Sequence, residues 1–240
     1  MSMDYYPYGR GPALDDSLMW CDLALLKFMA KKYRMPLWFY YQGKNYKKIP
    51  IFLFSMVRLA MNVGALYGSK GLQHYTVWGS VVNPEDGTRG EFFQEQRAMH
   101  AIYREWGNTL MALECRCVIH DESLTSVKTY AAEYGETMAD SQLLRGELPY
   151  HISVSELDDA YGNRYLLVLN RDYEEGRQVT LRLKSKCHLF EVSKETGKQI
   201  LLTEGTDSLT CTLEPGQMNF YRLQDADEAP YTVEYQLNKS

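Results

Sequence analysis

The five cysteines of this 240-residue chain, Cys21, Cys115, Cys117, Cys187 and Cys211, lack the paired spacing of a metal site. Their number is odd, so reduced, buried thiols are the default. Cys115 and Cys117 come nearest to a pair, but the pattern puts them at a helix end, where positions i and i+2 point apart. Positive charge is scarce as well: 26 Lys and Arg stand against 31 Asp and Glu, a net of −5. A nucleic-acid partner is excluded on that balance, because a phosphate backbone needs a basic face. Lys44, Lys47 and Lys48 make only a short basic run, read as a solvated loop. Long apolar runs are missing too. The longest, at 51–66, is interrupted by Arg58 and Asn62 and is too short to span a bilayer, so no membrane partner is expected. The N-terminus offers Asp4 and Pro7 where a leader peptide needs a charged start and an apolar run, which makes the cytoplasm the default location, with a leader upstream in a longer parent chain as the alternative that leaves location unknown. There is no phosphate loop, dinucleotide fingerprint or nucleophile elbow, and so no cofactor is expected.

Aromatic residues are what the chain does have: 13% of it, with 19 Tyr and 4 Trp. Flat rings with polar tips suit a surface that stacks on sugars, and they suit a Tyr-rich core equally well. The order of elements is more telling. Residues 1–7 read as a strand, and Asp15-Asp16-Ser17 offers capping for a helix over 16–33. The stripe Leu18, Leu25, Leu26, Phe28 and Met29 is expected to face a sheet. The continuous run 37–41 suits a parallel strand, a helix follows at 51–67, a third strand at 72–78 and an amphipathic helix at 91–114. Residues 121–146 are irregular and polar. Short strands then follow at 164–170, 178–183, 188–192, 199–203, 208–213 and 218–223, divided by turns, as in an antiparallel sandwich. Three β/α units cannot close a barrel, so the fold class expected is α/β plus all-β: the last three units of a (β/α)8 barrel at 1–120, a linker at 121–149 and a β-sandwich at 150–240.

Four segments resemble the C-terminal part of the TIM-barrel glycoside hydrolases, above all their β-galactosidase-like branch. Ser2-Met3-Asp4-Tyr5-Tyr6-Pro7 is similar to the sixth barrel strand, and Pro36-Leu37-Trp38-Phe39-Tyr40-Tyr41-Gln42 to the seventh. The stretch from Arg58 to Trp78 resembles the helix that feeds an eighth strand ending in an aromatic. Leu213-Glu214-Pro215-Gly216 before Phe220-Tyr221-Arg222-Leu223 resembles the last hairpin of an appended sandwich. The resemblance implies two carboxylates, about 5 Å apart in retaining enzymes. The acid/base would follow the fourth strand, which this chain does not contain. The nucleophile would end the seventh, where Gln42 stands, and an amide neither ionises nor forms a glycosyl ester.

Candidate residues follow from these placements. Asp4, a carboxylate in a buried strand, and Glu91 are the catalytic candidates; Asp4 has an alternative as the ion-pair partner of Arg58. Glu91 and Glu95 are explained equally well by acid at a helix start. Tyr6, Gln42 and Trp78 are expected to line a carbohydrate cleft. Trp38 and Tyr40 share one face of their strand and Phe39 and Tyr41 the other, so only one pair can reach a ligand. His74 reads as a core histidine, and Glu85 and Asp86 as turn residues. The function expected is that of a carbohydrate-active protein, a glycoside hydrolase fragment inactive alone. The alternative is a non-catalytic sugar-binding or assembly module. Either a homo-oligomer or a missing N-terminal half would cover its open faces.

Overall fold

The computed structural model describes residues 1–8, 17–44 and 53–236. Asp15, Asp16 and the loop residues Asn45, Tyr46, Lys47, Lys48 and Pro50 fall outside them. Three parallel strands, β1 (Ser2–Asp4), β2 (Trp38–Gln42) and β3 (Gly71–Tyr75), form one sheet in the order β1-β2-β3. Between them run α1 (Ser17–Tyr33) and α2 (Phe54–Leu66). The third strand stops at Tyr75, short of the expected 78, because the chain folds back there: Val81 and Val82 both donate to the Val77 carbonyl, at 3.0 Å each.

Helix α2 is buried almost all round, as its apolar sequence demands. One side lies on the sheet so closely that a Cβ on Gly64 would meet Leu72 and Phe39 side-chain carbons at 2.7 Å. Its other side reaches the second half of the molecule, where Asn62 Nδ2 donates to the Gly216 carbonyl (2.8 Å) and Ser55 Oγ to that of Tyr173 (2.6 Å). Arg58 also turns that way and bonds the Pro215 carbonyl. The expected pairing of Arg58 with Asp4 is therefore corrected: backbone oxygen and nearby Glu214 serve the guanidinium instead, and burial lowers its pKa.

Helix α1 also departs from expectation. It buries Met19, Trp20, Leu23, Ala24, Lys27 and Ala30, and leaves Leu18, Leu25 and Phe28 exposed. The largest ring decides the orientation: Trp20 packs edge-on to His120 at 5.2 Å and lies 5.9 Å from the Arg171 guanidinium. Lys27 is tolerated inside because it pairs with Glu136 and donates to the Arg116 carbonyl.

After α3 (Phe93–Ala112) the chain enters β4 (Glu114–His120). Cys115 and Cys117 thus lie in a strand, not at a helix end; a bulge separates them, and burial raises both thiol pKa values. A short α4 (Thr125–Tyr130) precedes β5 (Leu144–Arg145), β6 (Ile152–Asp158), β7 (Arg164–Asn170), β8 (Arg177–Val192), β9 (Gln199–Leu213) and β10 (Met218–Asp225). These strands make one antiparallel sheet, β4-β6-β7-β10-β8-β5 with β9 on β8, where a two-sheet sandwich was expected. Each of the two long strands, β8 and β9, takes the place of two expected short ones. Register shifts between Arg182 and Cys187 bend β8 and β9 without ending them.

The central strands β6, β7 and β10 are covered on both faces, while β9 is largely exposed, and the period of two sorts the residues. Tyr165, Leu167, Leu169, Met218 and Phe220 join the core shared with α2 and α3. Leu166, Val168, Tyr221 and Leu223 close a second core with Val179, Leu181 and Leu209. Trp106 of α3 seals the first core: its ring meets Phe220 edge-on at 5.5 Å, and its indole N–H reaches the Val192 carbonyl at 3.0 Å.

Candidate functional site

In a parallel sheet, register partners point to the same side. Ser2, Trp38 and Gly71 form one row of the small sheet, Asp4, Tyr40 and Gln73 the next, and Gln42 pairs with Tyr75 beyond them. Phe39, Tyr41 and Leu72 occupy the opposite side, against α2. The Asp4–Tyr40–Gln73 side carries no covering element among the described residues. Trp38 is 42% exposed and Tyr75 44% exposed. Glycine at 71 is needed there, since a Cβ would lie 2.4 Å from the Trp38 ring that crosses it.

At the carboxyl ends of the strands, Tyr6 joins this side. Its hydroxyl donates to Asp4 Oδ2 (3.0 Å), and its ring packs on Tyr75 with centroids 4.8 Å apart. The structure thus brings together Asp4, Tyr6, Trp38, Tyr40, Gln73 and Tyr75. Trp78 is 56% exposed in the turn after β3, bridged to Val82 instead of ending the strand. Glu91 is exposed in the turn before α3.

Gln42 is fully buried. Its Oε1 accepts from the Tyr8 N–H (2.8 Å), and its Nε2 donates to the carbonyls of Tyr8 (2.5 Å) and Lys44 (2.8 Å). Both amide hydrogens are spent on backbone, so the side chain clamps the loop after β1 to the loop after β2. A carboxylate could not make the two donations, which gives the amide at this position a structural reason.

Behind the row lies a polar layer, of which the sequence marks His74 as a core histidine but shows none of the contacts. Tyr41 stacks on His74 with rings 5.0 Å apart and 2° from parallel, and its hydroxyl meets His100 Nε2 at 3.2 Å. His74 Nε2 is buried against the Gly43 backbone, with no well-aligned hydrogen-bond partner among the described residues. Burial, with the nearby His100, brings the His74 pKa down to about 4, against an opposing pull from the Gly43 backbone. Burial lowers that of His100 as well and raises that of the Tyr41 phenol. Near neutral pH this layer is uncharged, suited to shape and stacking and not to proton transfer. The alternation of apolar residues gave no sign of it, because a histidine in strand pattern looks the same whether or not it stacks. Tyr75 was legible as a strand residue, but its contact with Tyr6 needs the two strand ends side by side.

Two cavities lie away from this side. One of about 480 Å³ is lined by His120, Glu122, Leu124 and Met138, and one of about 780 Å³ opens at the amino ends of β2 and β3 beside Leu37 and Lys70. Among the described residues no group of three or more His, Cys, Asp or Glu side chains is placed to hold a metal ion. Among the described residues, too, no helix is long and apolar enough to cross a membrane.

No family model and no curated protein matches the chain. Among solved structures it is similar to a GH27 β-L-arabinopyranosidase from Geobacillus stearothermophilus, at 13% identity and a TM-score of 0.38, over 95% of this chain and 51% of that one. A complex of that enzyme with arabinose aligns at 11% identity and 0.39, over 88% and 43%. The α-galactosidase I of Mortierella vinacea aligns at 9% identity and 0.34, over 94% and 68%. The chain spans about half the length of the arabinopyranosidase. These neighbours are glycoside hydrolases, but at such TM-scores the likeness carries no argument about chemistry.

Proposed function

We propose that this chain is a carbohydrate-active protein whose ligand lies on the uncovered side of the parallel sheet. One observation carries the reading: a parallel sheet is normally covered on both sides, and among the described residues no element covers the side that bears Asp4, Tyr6, Trp38, Tyr40, Gln73 and Tyr75. Half-exposed rings beside one carboxylate and one amide are the chemistry that receives a sugar: apolar ring faces for its C–H groups, polar tips for its hydroxyls. Trp78 extends the aromatic surface past the strand ends.

On this reading the sheet is the closing part of a (β/α)8 barrel and its open side is lumen, which fits α2 lying on the opposite, outer side. A binding role without hydrolysis is favoured by Gln42, whose amide is committed to backbone where a nucleophile would stand. The test is calorimetric titration of the full chain with a panel of neutral oligosaccharides, alongside hydrolysis assays with aryl glycosides. Binding to at least one glycan, weakened tenfold or more in Trp78→Ala and in Trp38→Ala, with no turnover, is expected. No binding across the panel would sink the proposal, and turnover lost in Asp4→Ala would sink the non-catalytic form of it.

A further inference from the structure

The side of the antiparallel sheet that meets α2 and α3 changes character along β10. Met218 and Phe220 lie beneath the helical layer, but the next residues on that side are Arg222 and Gln224, both buried. Their register partners on β8 are Phe190 and His188. What covers them is the extended segment 229–235, which follows a turn at 226–228 and is largely exposed on its outer side.

Side-chain amides read this segment through its backbone. Gln224 Nε2 donates to the Ala229 carbonyl (2.8 Å), and its Oε1 accepts from the Tyr231 N–H (3.0 Å). The amide thereby straddles Pro230, the one residue with no N–H to offer, whose ring also holds Ala229 extended. Gln199 repeats the arrangement two residues on, donating to the Val233 carbonyl (2.8 Å) and accepting from its N–H (3.0 Å). Arg222 Nη1 donates to the Tyr231 carbonyl (2.6 Å) and to Gln199 Oε1 (2.9 Å), and Nη2 to Gln224 Oε1 (3.1 Å). The guanidinium lies between the rings of Phe190 and Tyr231, 4.6 and 4.7 Å from their centres. At the far end the Tyr235 hydroxyl donates to Asp159 Oδ2 (2.7 Å) and lies 2.9 Å from the Tyr165 hydroxyl. His188 Nε2 meets the Glu228 carbonyl at the near end (2.8 Å).

Contacts at 229, 231 and 233 have the period of a strand, yet amide side chains replace the neighbouring strand. We infer that His188, Gln199, Arg222 and Gln224 form a binding site for an extended peptide backbone, filled by this chain's own C-terminal segment and open to the same segment from a second copy of the chain. The turn at 226–228 is the hinge. Groups that would be costly to bury unpaired, above all the Arg222 charge, are satisfied equally by either copy's carbonyls.

The experiment uses the full chain and a fluorescent peptide of residues 226–236, read by anisotropy. In the wild type the tethered segment competes at an effective concentration of about a millimolar, so the peptide binds weakly. Val233→Pro removes the N–H that Gln199 accepts while leaving the site intact, and Tyr235→Ala releases the far anchor. Each is expected to speed hydrogen exchange at the Tyr231 amide and to tighten peptide binding at least tenfold, an effect abolished by adding Gln199→Leu or Gln224→Leu. Faster exchange at Tyr231 with no gain in peptide binding would overturn the inference. So would exchange as slow as the wild type's in both variants, since the segment would then be fixed structure.

Discussion

The two sheets of this molecule start from similar sequence and end differently. Trp38-Phe39-Tyr40-Tyr41 in β2 and Tyr165-Leu166-Leu167-Val168 in β7 are both unbroken apolar runs. In β7 alternate residues enter two separate cores and every one is buried. In β2 only Phe39 and Tyr41 are, while Trp38 and Tyr40 face a side that no described element covers. An apolar run thus announces a strand that something could cover on both sides. Whether it is covered depends on elements elsewhere in the chain or outside it. Aromatics tell the two apart better than hydropathy does, because rings with polar tips tolerate water where leucines do not.

The contrast can be broken most directly at Leu167. Leu167→Ala should cost about 2–5 kcal/mol of stability, read from denaturant midpoints, because the shared core cannot collapse onto the gap. A loss no larger than that of Trp38→Ala would mean that the two runs are buried alike. Gln42→Glu comes next, at about 1–3 kcal/mol, since a buried carboxylate facing the Tyr8 and Lys44 carbonyls replaces two donated hydrogen bonds. A variant as stable as the wild type would show that the clamp contributes nothing. Trp38→Ala should cost under about 1 kcal/mol, the range of surface changes, and a larger loss would put the indole in a core.

The smallest effect near neutral pH is at His74. Its pKa in the fold, about 4, lies below the ordinary 6.5, so the unfolded chain binds the extra proton and stability falls as pH drops from about 6.5 toward 4. His100, also lowered, acts in the same direction. His74→Phe keeps the stacking ring on Tyr41 and should flatten that part of the stability profile. An unchanged slope in the variant would assign it to other groups.

Much of the element order was legible in the sequence: the three parallel strands, the three longer helices and the strands from β7 to β10 follow from periodicity and turn residues, whereas β4 reads as the end of the preceding helix and β5 falls in a stretch that looks irregular. The facing of α1 was not, because Leu18, Leu25 and Phe28 are as apolar as the residues that won, and only the room around Trp20 settles the rotation. Sequence also split β8 at Lys184-Ser185-Lys186, whose polarity reflects one exposed stretch of a continuous strand. Of the candidate site, the face shared by Trp38 and Tyr40 was readable from the two-residue period. The commitment of Gln42 to Tyr8 was not, since it joins residues 34 positions apart.

Strand β8 has one further consequence. Along a single edge it bonds β5 at Leu183 and β10 from Cys187 to Glu191, while β9 takes its other edge. No local opening can release one of these neighbours fully without loosening the strand that holds the others. The antiparallel half should therefore unfold as one cooperative block, its most protected amides sharing a common exchange rate, whereas the ends of the three parallel strands fray independently.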